Sequence, residues 1–293
     1  MSASISVVVP TLNEACNIRT LIESVGRQTY PISQFVVADG GSTDGTREII
    51  RAHAGVTLVD NELGHAAAGR NIALKSCTTD WVLFTDGDCR PAPDWAEKLI
   101  AAANRRPTVV GVGGRLTAEP ATVFEKVCAE TLLQVVLRHD GDSRRVRAKT
   151  LAGALVTANC AYRRDVLERV GGFDNRFSNF GEDIDLMFRV LDIDAGILMH
   201  TADAVVVGNM PTTLTATIRK WRQYGLASSY LNKYHYRRRA FDFGLYRLMV
   251  ASLGTAVSAS GTARTEALVS AVQLAAHIGG KLEGSVRLRT VNL

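Results

Sequence analysis

The sequence predicts an α/β fold, in which helices flank a mostly parallel sheet and a C-terminal helical extension follows. Two observations predict it. Short, β-branched apolar runs alternate with helical patterns through the first 116 residues, and polar, glycine-containing turns follow several of these runs. Because ligands of such sheets bind at the carboxyl ends of the strands, we expect the turns to form one site.

Each predicted strand is a short apolar run that ends at a turn signal. Ile5–Val9 is β-branched and stops at Pro10, and Trp81–Thr85 stops at Asp86-Gly87-Asp88. The other predicted strands are Gln34–Ala38, Thr57–Asp60, Thr108–Leu116, Thr150–Ala161 and one that begins near Ala204.

Helices are predicted where apolar residues recur at the helical period. Ile18, Leu21, Ile22 and Val25 follow the i, i+3, i+4, i+7 pattern. Polar, basic His139–Lys149 predicts an exposed loop. The other predicted helices are Thr46–Ala54, His65–Ser76, Asp94–Asn104, Ala121–Arg138, Arg164–Val170, the amphipathic Glu182–Ala195, and further helices from Pro211 onward.

The composition is that of a globular protein and excludes the disordered and fibrous classes, with 46% hydrophobic and 22% charged residues. The net charge of +5 suits a phosphate-bearing substrate or an anionic membrane, or is only a basic solvated surface. The five scattered cysteines form no CxxC pair, which favours a reducing cytoplasm over a disulfide framework or a zinc site.

No targeting or membrane-spanning segment is predicted. The apolar run Ile5–Val9 begins too early for a signal peptide to precede it. Leu245–Ala263 is diluted by Arg247 and by small polar residues, so it lacks the roughly 20 mostly apolar residues that a span needs.

Two turns carry candidate chemistry. In Asp86-Gly87-Asp88 two carboxylates could share a divalent cation and ribose hydroxyls, or the sequence is an ordinary Asp-Gly turn. In Ala38–Thr46 the glycines let a ligand approach the backbone and Asp39 could accept from a base N–H, or the segment is only a capped turn. Neither a Walker loop nor a GxGxxG fingerprint is present.

Acidic residues open the predicted helix Glu182–Ala195. Such residues suit the helix macrodipole, which by itself explains them. The same position favours the ionised carboxylate, so Asp183 is expected to be a charged but weak base.

In their joint order these motifs resemble the family 2 glycosyltransferases of the Rossmann-like GT-A fold. The resemblance runs from about residue 5 to about residue 230 and is specific in its combination. Its segments are Val7–Glu14, Asp39–Thr46, Thr85–Asp88, Thr157–Arg164, Gly171–Asp174 and Gly181–Leu186.

The resemblance implies transfer from a nucleotide-sugar, with UDP as the expected carrier, and inversion at the anomeric carbon. Asp88, with Asp86, would bind Mn²⁺ or Mg²⁺, and Asp183 would be the catalytic base. Glu182 and Asn159 would lie on the acceptor side. The residues expected to bind the nucleotide-sugar are Pro10, Thr11, Glu14, Asp39, Arg70, Asp86 and Arg222.

The expected organisation is a GT-A domain over residues 1–212 and a basic helical extension over residues 213–293. Within the domain, residues 1–116 would bind the nucleotide-sugar and residues 117–212 the acceptor. The basic region Arg219–Arg239 is either a solvated helix face or a surface that contacts anionic lipid. The second alternative would place a cytoplasmic enzyme at the inner membrane face.

Two departures from the family pattern matter. Many relatives carry a histidine after the late strand, where Gly208 stands here, so the metal would have fewer protein ligands; nearby His200 is expected to be structural. The Gln-x-x-Arg-Trp motif of processive synthases is replaced by Arg219–Gly225, so a non-processive enzyme is expected.

Two rival functions use a similar sheet. A non-catalytic nucleotide-sugar-binding scaffold would not need Asp86, Asp88 and Asp183. A sugar-phosphate nucleotidyltransferase needs a cationic glycine-rich loop after the first strand, where this chain has Pro10–Glu14. Nucleic-acid binding is not indicated, since no reader motif is present. The sugar, the acceptor, the nucleotide and the oligomeric state stay open.

Overall fold

A computed structural model describes residues 3–136, 145–146, 153–178, 180–236 and 243–290. The chain divides into two compact units. The sheet unit comprises Met1–Ala118, Val135–Ser178 and Glu182–Asn209, and the helical unit comprises Glu119–Gln134, Asn179–Gly181 and Met210–Leu293. Residues 119–134, expected in the acceptor half, therefore group with the C-terminal helices.

In the described part of the chain the sheet has nine strands in the order β3-β2-β1-β4-β8-β6-β9-β5, and β7 pairs with β9. Neighbours among β3, β2, β1 and β4 are parallel, as are β6 and β9, whereas β8 runs antiparallel to both β4 and β6. The strands are β1 Ile5–Thr11, β2 Gln34–Asp39, β3 Val56–Asp60, β4 Trp81–Phe84, β5 Cys89–Pro91, β6 Val109–Thr117, β7 Arg145–Val146, β8 Cys160–Arg163 and β9 Ile197–Gly208.

Helices of the sheet unit cover the apolar strands. Ile18, Leu21 and Val25 of the first helix are buried in the main core, as their spacing predicts, and Trp95 and Leu99 of the fourth are fully buried there. The helices are α1 Ile18–Gly26, α2 Thr46–Arg51, α3 Ala66–Leu74, α4 Trp95–Ala103, α6 Arg164–Arg169 and α7 Glu182–Asp192; α5, Val123–Val136, lies mainly in the helical unit.

The α/β prediction is confirmed, with corrections in the second half of the chain. Thr150–Ala161 was expected to be a strand, but Gly153–Asn159 is irregular, with Gly153 in the left-handed region, and β8 begins only at Cys160. The expected loop His139–Lys149 contains β7, and its other residues lie outside the described ones. β9 begins at Ile197, before the predicted Ala204, because its first residues pair with β6.

The helical unit contains α8 Leu214–Leu231, a π-helical turn at Asn232–Tyr236, α9 Phe243–Ser258 and α10 Gly261–Leu288. Glycines bring α8 and α10 into backbone contact: a Cβ on Gly225 would overlap the His277 carbonyl, and one on Gly280 would overlap the Arg222 carbonyl. Within the described residues, no helix is both long enough and apolar enough to cross a membrane.

Gly280→Ala is expected to destabilise the helical unit, because the added methyl group would overlap α8 and overpacking costs about 1–3 kcal/mol. Gly279→Ala is the matched control, since its Cβ meets nothing within 4 Å and alanine is favoured over glycine in a helix by about 1 kcal/mol. Thermal unfolding should therefore shift down for Gly280→Ala and up for Gly279→Ala. Shifts of the same sign would contradict the close helix crossing.

Candidate active site

Three polar loops meet at the carboxyl edge of the parallel strands. Because β1 pairs with both β2 and β4, the loops after these strands are neighbours, and Thr11 of β1 lies opposite Asp39 of β2. The structure therefore brings together the loops that the sequence predicts to form the site.

Four hydrogen bonds join the loop after β1 to the loop after β2. Asn13 takes part in two of them and adopts φ 56°, a left-handed conformation that asparagine tolerates. The bonds run from the Asn13 amide to Ser42 Oγ (2.8 Å), from the Thr43 amide to Asn13 Oδ1 (2.9 Å), from the Glu14 amide to Thr46 Oγ1 (2.8 Å) and from the Ala15 amide to Asp44 Oδ2 (3.0 Å). The two loops thus hold each other in place.

Asp39 was expected to contact a nucleotide base, but its carboxylate is buried and engaged within the protein. It accepts hydrogen bonds from the Gly41 and Ser42 amides and from the Ser42 hydroxyl, and pairs with Arg47 at 2.8 Å. Burial opposes ionisation, but the bonds from Ser42 and Arg47 outweigh it and lower the pKa of Asp39. In this structure Asp39 shapes the loop; the base contact stays a prediction.

Asp86 and Asp88 present oxygen ligands at the end of β4. Their carboxylates and Cys89 Sγ lie within 4.8 Å of one another. Burial first, and then the two carboxylates, raise the pKa of the Cys89 thiol well above its usual value, which disfavours the thiolate form that binds metals. Oxygen donors are what Mg²⁺ and Mn²⁺ prefer, and the Asp86–Asp88 pair therefore fits such a cation.

Glu14 and Gly208 complete the surroundings of this pair. A Cβ on Gly87 would lie 3.1 Å from Glu14 Cγ, so the two loops touch. The pKa of Glu14 is raised by burial and also by the charges of Asp88 and Asp86, although a hydrogen bond from Asn17 opposes the shift. Gly208 pairs with Cys89 in the β5–β9 ladder and has no side chain to offer a metal.

Arg70 was expected near the nucleotide, but it is a buried link between two parts of the site. Its side chain is 2% exposed, and its guanidinium pairs with Asp86 and with Glu182 at 2.7 Å each. The guanidinium carbon also lies 5.6 Å from the centre of the Phe173 ring. Glu182 is correspondingly buried and faces Arg70; its expected place on the acceptor side stays a prediction.

Asp183, the expected base, lies next to Glu182 in the first turn of α7 and is half-buried. Burial, followed by the charge of Glu182, raises the pKa of Asp183 to about 7, against the lowering effect of the Ile184 amide bond and of Arg70. The direction is opposite to the one expected from the helix N-terminus. A half-exposed carboxyl that titrates near neutrality can accept a proton from a hydroxyl group.

Asn159, also expected on the acceptor side, is fully buried and structural. Its amide nitrogen donates to the carbonyls of Arg115 (2.9 Å) and Ala204 (3.0 Å), and its amide oxygen accepts from Trp95 Nε1 (2.8 Å). These bonds use the side chain to join β6, β9 and α4, so the acceptor contact is not supported.

The remaining predicted residues are placed as follows. Pro10 is half-buried at the end of β1, and Thr11 Oγ1 is buried without a hydrogen bond in the described part of the chain. His200 is buried and its Nε2 lies 2.8 Å from the Gly153 carbonyl, as a structural residue would. Arg222 belongs to the helical unit, where it pairs with Glu283 at 2.6 Å; its diphosphate contact stays a prediction.

Asn71 and Arg47 hold the site together but were missed in the sequence. The Asn71 side chain donates to the Phe173 carbonyl and accepts from the Phe173 amide, at 2.8 Å each. Asn71 and Phe173 are 102 positions apart in the chain, and no sequence pattern signals such a pairing. Arg47 bridges Asp39 and Asp60, and a lone arginine on a helix gives no such signal.

Comparisons with known proteins point to one family. The family model described as glycosyl transferase family 2 matches residues 6–171. Glycosyltransferase AglE of Haloferax volcanii is 31% identical over 217 residues, 69% of this chain and 65% of the relative. Succinoglycan biosynthesis protein ExoA of Rhizobium meliloti is 32% identical over 201 residues, 64% of this chain and 58% of the relative. The chain thus spans less than two thirds of either relative.

Solved structures share the fold over nearly the whole chain. A mannosyltransferase from Pyrobaculum calidifontis, in complex with GDP-Man and Mn²⁺, has a TM-score of 0.67 at 22% identity and covers 97% of this chain and 87% of its own. Residues 1–349 of TarS from S. aureus, in complex with UDP, have a TM-score of 0.57 at 16% identity and cover 98% and 92%. At these identities the likeness shows the GT-A fold.

Asp183→Asn is expected to stabilise the protein at pH 8 and much less at pH 5. The unfolded carboxyl ionises near pH 4 and the folded one only near 7, so the cost of charging the folded site grows between these values and is constant above. The melting temperature should rise by roughly 3–6 °C at pH 8. Asp192→Asn, at an exposed position in the last turn of α7, is the control for the same substitution outside the site. A pH-independent effect of Asp183→Asn would exclude a raised pKa.

Proposed function

The chain belongs to glycosyl transferase family 2, and from that premise we propose that it moves a sugar from a nucleotide-sugar to an acceptor hydroxyl, with inversion and without processivity. The main support for this proposal is the pair of ion pairs that Arg70 makes with Asp86 and Glu182. They hold the acidic turn after β4 near Asp183, whose carboxyl has a raised pKa. We propose a UDP-linked hexose or N-acetylhexosamine as donor. The UDP complex of TarS and the GDP-Man complex of the mannosyltransferase make UDP and GDP the first carriers to compare.

The nucleotide would lie against the cross-linked loops after β1 and β2, where Thr11 and Glu14 approach Gly87 of the acidic turn and Pro10 lies next to Gly69 of α3. Thr11 Oγ1 has an unused hydrogen-bonding position. Asp86 and Asp88 would hold Mn²⁺ or Mg²⁺, which when bound neutralises the diphosphate leaving group.

Asp183 would act on the acceptor. Its carboxylate takes the hydroxyl proton as the acceptor oxygen bonds to the anomeric carbon, and the nucleoside diphosphate leaves from the opposite face with the bonding electron pair. A base that titrates near the working pH combines availability with strength. Glu182 cannot share this task while it is buried against Arg70.

The five free cysteines, four of them buried, support a reducing compartment, and we propose a cytoplasmic enzyme. The acceptor would be a hydroxyl-bearing molecule; the relatives named above do not identify it for this chain.

Donor binding is expected to require a cation. Calorimetry with UDP, GDP and dTDP, each with Mn²⁺ and with EDTA, should give metal-dependent binding of one nucleotide, because the carboxylates of Asp86 and Asp88 repel a bare diphosphate. Asp88→Ala should abolish the metal-dependent part. Glu97→Ala on the exposed part of α4 serves as the control. Failure of all three nucleotides to bind would contradict the proposed donor site.

Asp183→Asn is expected to lower kcat by about 10²–10⁴, the usual contribution of a positioned base, and to leave donor affinity within a few-fold. The measurement is turnover with the acceptor once it is identified, together with calorimetry of the donor. For the wild-type enzyme kcat/KM should rise with pH through about 7, where Asp183 loses its proton. Near-normal turnover of the variant would refute the assignment of Asp183 as the base.

A further inference from the structure

The charge of the chain is strongly divided along the sequence. Residues 210–293 contain twelve lysines and arginines and three acidic residues, a net charge of +9, whereas residues 1–209 carry −4. The overall charge of +5 therefore hides a basic C-terminal segment that suits an anionic partner. Arg247, Arg264 and Arg287 are exposed basic residues on α9 and α10 of this segment.

The helix α9 exposes an apolar stripe. Val250, Leu253 and Val257 are separated by three and four residues, so they lie on one face, and their exposed fractions are 64%, 47% and 86%. Tyr246, half-buried, lies one turn earlier on the same face. Single exposed apolar residues are ordinary, but a continuous stripe of them marks a contact surface.

The side of α9 that the fold buries is a different one. Ala256 is buried and Ser252 is half-buried, which places the packed face to one side of the stripe. The only charge in the whole of Phe243–Ser258 is Arg247. The stripe is thus not required for packing within the helical unit, and no carboxylate on α9 would repel an anionic surface.

We propose that α9 lies on an anionic membrane surface, with Val250, Leu253 and Val257 inserted among the lipid headgroups and the basic residues of the segment near the phosphates. Apolar insertion together with positive charge is the combination that binds peripheral helices to acidic lipid. A second copy of the chain is a poorer occupant of the stripe, because it would bring together two segments that each carry +9.

The test is flotation of the full chain with vesicles of mixed phosphatidylglycerol and phosphatidylcholine, and with vesicles of phosphatidylcholine alone. The wild-type protein should float with the acidic vesicles and be released by high salt. The double variant Leu253→Glu, Val257→Glu should bind at least about tenfold more weakly than its control, because apolar burial of two side chains is lost.

The matched control is the double variant Thr255→Glu, Ser258→Glu. It adds the same two charges to exposed positions of the same helix, off the stripe, so it reports the electrostatic loss alone. Circular dichroism checks that each variant folds, and Val257→Glu alone is the substitute if the double variant does not.

Equal binding by the stripe variant and its control, or no binding of the wild-type protein to acidic vesicles, would overturn the proposal. Light scattering that shows a wild-type dimer and a monomeric stripe variant would assign the stripe to a subunit interface instead. The experiment uses neither donor nor acceptor, so its failure leaves the proposed sugar transfer intact.

Discussion

The arrangement of the site depends on one buried cation, the guanidinium of Arg70. It donates to Asp86 and to Glu182 at 2.7 Å each, and a buried charge that loses its partners costs several kcal/mol. Asp86 follows β4 and Glu182 opens α7, so one residue of α3 sets how far apart these two elements lie. Asn71, the next residue, binds both backbone polar groups of Phe173. Two adjacent side chains on α3 therefore anchor the end of a strand, the start of a helix and the loop that precedes this helix.

The ion pair between Arg70 and Glu182 also affects the pKa of the neighbouring Asp183. Glu182 is compensated by Arg70, yet its charge still acts on Asp183 beside it and, after burial, is the second cause that raises the pKa of Asp183 to about 7. The opposing influences, the Ile184 amide and the more distant Arg70, are smaller. The position at a helix N-terminus alone predicts a lowered pKa for Asp183, because that prediction leaves out the desolvation that packing imposes. The chemistry of the base is therefore a property of the assembled site, not of its local sequence.

Features made by residues that are adjacent in the chain could be predicted from the sequence, whereas contacts between distant residues could not. The strand ends and the three loops were predictable because apolar runs and turn residues are adjacent in the chain, and parallel strands put their carboxyl ends at one edge. The contact between Arg70 and Glu182 joins residues 112 positions apart, and no periodicity carries such a pairing. For the same reason Asn159 was expected near an acceptor, although its partners, on β6, β9 and α4, make it structural. Pairings as short as β5 and β7 lie below the length at which a pattern can be recognised.

The carboxyl edge of the parallel strands, where the donor is proposed to bind, is acidic, and this constrains how a nucleotide-sugar could bind there. Glu14 lies close enough to Asp86 and Asp88 for their charges to raise its pKa, and residues 1–209 as a whole are net negative. Arg70 cannot offset a bound diphosphate without giving up one of its two carboxylates. A cation held by Asp86 and Asp88 would turn this repulsion into attraction, and because binding free energies are reciprocal, the nucleotide must raise the affinity for the cation by the same factor. Strong coupling between cation and donor is thus a consequence of using Arg70 to pair Asp86 with Glu182.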